Sequence, residues 1–141
     1  MRVLGLDIGK RRIGVAVSDP LGLVARPVDT VQSVSLNKDV ERIAQVAREL
    51  GAGLIVVGDP VHMGGEAGSM SRRAHKFGER LQQVSGLPVV YCDERLTTFE
   101  AHRLMHEAGV PLKEARRRVD AVAAALILQS YLNAERKPQQ P

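Results

Sequence analysis

Three acidic positions in this chain are placed to do chemistry together. Asp7 stands near the end of a short apolar run, Val3, Leu4, Leu6 and Ile8. Glu94, with Asp93 as a neighbouring alternative, follows the apolar segment Leu87–Cys92. Asp120 opens the apolar stretch Ala121–Leu128. Carboxylates gathered without a histidine or cysteine set offer hard oxygen donors, which suit Mg²⁺ or Mn²⁺. Two such ions bridged by carboxylates can activate a water and stabilise the leaving oxygen in phosphodiester cleavage. Each acid also has a plainer reading. Asp7 can pair with a nearby base or cap a turn. Asp120 can pair with Arg116 or Arg117, three or four residues earlier on one helix. Asp93 and Glu94 can be solvated turn residues beside Arg95. The chemical reading rests on the acids meeting in space.

Basic residues cluster beside two of these acids. Lys10, Arg11 and Arg12 follow Asp7, and Arg116, Arg117 and Arg118 precede Asp120; Arg72 and Arg73 form a third group. Contacts to phosphates would account for the first and last groups, as would an ordinary solvated helix face for the RRR run. Aromatic residues are only 3% and do not interleave with the basic groups, so no base-stacking platform is expected. His62, His75, His102 and His106 are scattered. His102 and His106 share an i, i+4 spacing but no third ligand, which favours an exposed helix face over a metal site. Cys92 is the single cysteine, so no intrachain disulfide is available, and the residue reads as core.

The elements that must hold the acids follow from pattern. Met1–Asp19 reads as two strands joined by a tight turn containing Gly9, with the first strand apolar on both faces and hence central. A third strand over Leu23–Val31 contains Pro27, which cannot donate to a ladder and marks an edge. Leu36–Leu50 reads as a helix with Ser35 or Asn37 as cap, the stripe Val40, Ile43, Ala44, Ala47 and Leu50, and Gly51 as its stop. Leu54–Val57 is a buried strand ending in Gly58, Asp59 and Pro60. A glycine-containing loop, Asp59–Gly68, leads to a helix reaching Ser85 with Met70, Ala74, Phe77, Leu81 and Val84 on one face. After the strand Leu87–Cys92, Thr97 and Glu100 form a capping box for a helix ending at Gly109. Pro111–Ala134 reads as the last helix, buried through its middle. Three meandering strands followed by helix–strand crossovers predict an α/β domain with a mixed sheet and helices on both faces.

A chain of 141 residues is long enough for one domain with a real core, here taken as 1–141 with a flexible tail from about 135. A hydrophobic content of 44% supports folding, and a formal charge of +4 with pI near 9.6 suits a polyanionic partner. No segment approaches membrane-spanning length, and Arg2 followed by a short apolar run and more charge lacks a signal-peptide pattern. A cytoplasmic location is the expectation.

Four segments in order, LGLDIGKRRIGVAVSD, LIVVG, DERLTTFEA and VDAVAAALILQSYL, resemble the YqgF/RuvX family of the RNase H-like superfamily, over Met1 to about Leu132. Members of that family are assigned as pre-16S rRNA processing nucleases or Holliday junction resolvases. The resemblance implies a five-stranded mixed sheet in the order 3-2-1-4-5 flanked by helices, and a divalent-metal site. Asp7 matches the first-strand acid, Glu94 the acid of the DER motif with Asp93 as neighbour, and Asp120 the acid of the last helix. Arg12, Arg95 and Thr97 match positions that touch substrate or position the acids. One departure falls after LIVVG, where the family usually reads Gly-Leu-Pro and this chain has Gly58, Asp59 and Pro60. Asp59 is thereby open as a further ligand or a perturbation of the site.

The leading expectation is a Mg²⁺- or Mn²⁺-dependent nuclease on structured nucleic acid, RNA ahead of DNA, processing the 5′ end of pre-16S rRNA. Holliday junction resolution on DNA is the alternative within the same chemistry. A non-catalytic nucleic-acid-binding regulator would need the basic groups and not the acids. An actin-like ATP-binding domain is disfavoured, because such proteins close two domains around a nucleotide. Nucleic acid is the expected partner, a membrane is not, and a homodimer is compatible with the chain.

Overall fold

The computed structural model describes residues 1–60, 67–93, 103, 109 and 112–135, with backbone alone for 67 and 112–117. Five strands make one sheet: β1 (Arg2–Ile8), β2 (Arg12–Ser18), β3 (Ala25–Gln32), β4 (Ala52–Asp59) and β5 (Val89–Asp93), in the spatial order β3-β2-β1-β4-β5. The β1–β2 and β2–β3 pairs are antiparallel, while β1–β4 and β4–β5 are parallel. Helices α1 (Leu36–Leu50), α2 (Ala67–Ser85) and α3 (Leu112–Glu135) cover the sheet.

Alternation along the strands sorts residues to two faces. Leu4, Leu6, Ile8, Ile13, Val15, Val17, Ile55 and Val57 pack with α1 and α2 in one buried cluster. Val3, Ala16 and Val56 pack with α3 through Ala124, Ile127 and Leu128 in another. The central placement of the first strand follows from this double burial. On the α3 face the strands carry small residues, so the helix comes close. A Cβ on Gly5 would lie 2.7 Å from Leu128 Cβ.

β3 is the edge strand that Pro27 requires, but it begins at Ala25 rather than Leu23. Asp19 carboxylate oxygens accept from the backbone N–H groups of Leu21, Leu23 and Val24, holding those residues in a turn. The ladder slips at Val28: Val15 pairs with Asp29 and Ala16 with Pro27, so Val28 is the extra residue of a bulge. α1 is capped by Ser35, whose hydroxyl accepts from Lys38 N, and closed by Gly51 at φ 69°. On α2, Ala74, Phe77 and Leu81 are buried as the stripe predicts, while Val84 in the last turn is 45% exposed. The loop after Pro60, the Thr97 capping box and the tail lie outside the described residues. Gly109, the expected end of the intervening helix, has φ 74°.

Candidate active site

The β1–β2 register sets Asp7 opposite Gly14, and residues directly opposed in an antiparallel pair share a face. Gly14 is where α3 touches the sheet: a Cβ there would sit 1.8 Å from the backbone oxygen of Asp120. Asp7 and Asp120 therefore occupy the same face, at the end of the sheet where β1 and β4 terminate. Only glycine at position 14 lets the helix backbone come down far enough to bring them there. Arg12, two residues before Gly14 on the same face, donates Nε to Asp120 Oδ2 at 2.9 Å. Its side chain is 47% exposed and that of Asp120 20%, so the pair lies at the rim.

The connecting turn is tied down from several sides. Gly9 N donates to Arg12 O at 2.9 Å, and Ser33 N to Arg11 O at 2.9 Å. Arg73 of α2 donates Nε to Gly9 O at 3.2 Å and Nη2 to Lys10 O at 3.3 Å. Lys10 and Arg11 are exposed on this turn, beside the acid pair. The sequence marks Arg73 only as a member of a basic pair with Arg72; its bonding to a turn more than sixty residues away carries no local signal.

Asp59 stands elsewhere. It belongs to the odd-numbered series of β4 with Ile55 and Val57, which faces α1 and α2. It is 6% exposed, and its oxygens accept from Ser71 Oγ and His75 Nε2, each at 2.6 Å. The His75 ring stacks on Tyr91 with centroids 3.9 Å apart and planes 16° from parallel. Burial, and then the charges of Glu79 and Asp59, push the Tyr91 hydroxyl up from its ordinary pKa. Asp59 thus fastens α2 to β4 on the face opposite Asp7. The i, i+4 spacing of Ser71 and His75 was the sequence signal for a shared partner. Asp93 pairs in register with Asp59 and belongs to the same series as Val89 and Tyr91, which face α1 and α2.

Cys92 faces α3, half-buried, with Sγ 3.9 Å from Ile127 O. Glu94, Arg95 and Thr97 lie outside the described residues, as do His62, His102, His106 and the side chains of Arg116 and Arg117. Among the described residues no three His, Cys, Asp or Glu side chains gather to hold an ion. Asp7 and Asp120 form a two-carboxylate, oxygen-only donor set on a shared face. That set fits a hard divalent cation completed by a further acid.

Comparison with known proteins bears on this arrangement. Residues 1–134 match the family model described as RuvX: Holliday junction resolvase. A protein of Caldanaerobacter subterraneus subsp. tengcongensis is 41% identical over 138 residues, covering 96% of this chain and 99% of its own length. One of Anaeromyxobacter sp. (strain Fw109-5) is 45% identical over 133 residues, covering 94% and 97%. Both carry the name "Putative pre-16S rRNA nuclease". Among solved structures, Thermus thermophilus RuvC in complex with a Holliday junction substrate aligns with TM-score 0.64 at 20% identity, covering 96% of each chain. The Fowlpox virus resolvase complexed with Holliday junction DNA aligns with TM-score 0.60 at 11% identity, covering 97% of this chain and 100% of that one. The sheet order and flanking helices are those of RuvC-like, RNase H-fold resolvases. By the match of its sequence over nearly its whole length, the chain belongs to the RuvX family.

Proposed function

We propose that this chain is a divalent-metal-dependent nuclease whose ions, Mg²⁺ or Mn²⁺, are held by Asp7, Asp120 and Glu94. The observation that supports the reading is the placement of Asp7 opposite Gly14, on the sheet face where the backbone of Asp120 in α3 closely approaches Gly14. Bound there, divalent ions supply an activated water and stabilisation of the leaving oxygen. Arg12 orients the Asp120 carboxylate by its charge-assisted bond. Lys10 and Arg11 on the adjoining turn, with Arg95, Thr97, Arg116 and Arg117, meet the phosphates of the strand. Asp59 takes no part, because its carboxylate is engaged on the opposite face.

The substrate we assign is structured RNA, the 5′ end of pre-16S rRNA, acted on in the cytoplasm; the names of the relatives support it. A DNA four-way junction is the second reading, favoured by the description of the matching family. Among the described residues no helix is long and apolar enough to cross a membrane. Two copies of the chain would match a two-fold junction, which sedimentation with a four-way DNA would detect.

Asp7→Asn tests the reading. The amide keeps the shape of the side chain but removes the charge, and a neutral amide is a poor ligand for a hard cation. Cleavage of a precursor 16S rRNA fragment and of a four-way DNA junction, each with Mn²⁺, should fall by several orders of magnitude. Binding of the same nucleic acids should persist or tighten slightly, since a negative charge near phosphates is gone. An Asp7→Asn protein that cleaves as fast as the parent would refute the assignment. A parent that binds but cleaves neither substrate would favour a regulator that acts by binding.

A further inference from the structure

The edge of the sheet that carries Asp7 also carries a basic cleft on its other face. Between the first turn of α1 and the N-terminal half of α2 lies a cleft of about 280 Å³, whose lining includes Leu36, Asp39, Arg72, Arg73, Lys76 and Phe77. Arg72 and Lys76 are one turn apart, so they project from the same side of α2, and both are exposed. Among the described residues neither forms a salt bridge. Asp39 is the acid of the lining, and it is already committed. It is 4% exposed, its Oδ2 accepting from Ser33 Oγ at 2.6 Å and its Oδ1 from Val34 N at 2.9 Å. Among the described residues the cleft therefore presents more positive than negative charge, with two cations that form no salt bridge there.

Position narrows the ligand. Arg73, in the lining, is bonded to the carbonyls of Gly9 and Lys10, and Arg12, on leaving the same turn, is bonded to Asp120. One short turn thus separates the acid pair from the cations. A strand crossing that turn from the acids reaches the cleft next. The volume lies at the small end of ligand sites, with room for a phosphate and a sugar. Leu36 and Phe77 supply an apolar floor against which a sugar can rest.

We propose that this cleft is a second phosphate-binding subsite for the backbone of the bound nucleic acid, with Arg72 and Lys76 as its contacts. Arg73 is a positioning residue that fixes the cleft against the turn. The inference rests on the nucleic-acid reading given above. It extends the contact surface from the α3 face of the sheet, over the β1–β2 turn, to the α1–α2 face.

The test is the salt dependence of binding, followed by fluorescence anisotropy with a labelled precursor 16S rRNA fragment and a labelled four-way DNA junction, over about 50–300 mM KCl. The full-length Arg72→Ala/Lys76→Ala variant should lose about one to two units of the logarithmic salt slope and bind on the order of tenfold more weakly at physiological salt. Arg72→Lys/Lys76→Arg should keep the parental slope, because charge and reach are preserved. Equal slopes for the parent and the double-alanine variant would overturn the subsite and leave the nuclease reading standing. A parent that binds neither nucleic acid would overturn both. A 5′-mononucleotide that raises the parental melting temperature through Arg72 and Lys76, with no change in salt slope, would assign the cleft to a free nucleotide and overturn the strand proposal.

Discussion

Gly14→Ala is the perturbation that most directly tests how the acid pair is assembled. The new Cβ would lie 1.8 Å from the Asp120 carbonyl oxygen and 2.3 Å from its carbon, where real Cβ contacts essentially never fall below 3.0 Å. The obstruction is helix backbone, which has no rotamer to escape into, so α3 must withdraw by about 1.2 Å to reach that limit. Overpacking a well-filled site costs about 1–3 kcal/mol, and a clash with backbone belongs at the upper end. For a chain of this size, that is a fall in melting temperature of about 10 °C. Withdrawal carries Asp120 away from Asp7 while leaving both residues intact, and a misplacement of about 1 Å costs on the order of 100-fold in rate. The assays are thermal denaturation and Mn²⁺-supported cleavage of a precursor rRNA fragment well below the melting point. Gly51→Ala is the control: at φ 69° with open space around it, it strains the end of α1 but touches neither acid. It should lower stability by about 1 kcal/mol and leave cleavage unchanged. A Gly14→Ala protein that melts and cleaves like the parent would show that the approach of α3 does not position the acids.

Asp59→Ala removes a buried acceptor that holds Ser71 and His75, and should cost about 2–3 kcal/mol. Its cleavage measured well below the melting point should match the parent, and a large loss of activity there would return Asp59 to the metal site. Arg12→Ala breaks a rim ion pair, so stability should change by less than about 1 kcal/mol. Cleavage should nevertheless drop, read as a lower kcat, because Asp120 loses the donor that orients it; unchanged kcat would make Arg12 ordinary surface charge. Asp19 has its pKa lowered, chiefly by the N–H of Val24, with those of Leu23 and Leu21 adding to it. A depressed folded-state pKa means that the contribution is present above the unfolded value of about 3.9 and is lost as pH falls through the folded one. The stability difference between parent and Asp19→Asn should therefore shrink on acidification below about pH 4, and a difference that grows there would contradict the assignment.

Much of the architecture was legible in the sequence because it rests on local rules. Double-sided burial marked β1 as central, Pro27 marked β3 as an edge, and Gly51 marked the end of α1, each through backbone chemistry that acts within a few residues. Acids at the ends of apolar runs, with no cysteine or histidine set, are the sequence feature from which the proposal of a hard cation starts. The family motifs added the order of the strands, which no single element encodes.

The tertiary structure decided which face of the sheet each acid takes. Asp7 and Asp59 both end strands that lie side by side at the same edge, and in the sequence they look alike. Their positions in the period-two alternation differ by one step once the β1–β4 register is set, which sends Asp7 to α3 and Asp59 to α2. The bond from Arg12 to Asp120 was equally out of reach. Local spacing offered Arg116 and Arg117, whose side chains lie outside the described residues, and gave no sign of Arg12, at the other end of the chain. Long-range contacts of this kind depend on how close α3 can come to β2. A glycine at position 14 reads in the sequence as a weak spot in a strand, and only packing reveals it as the seat of the helix.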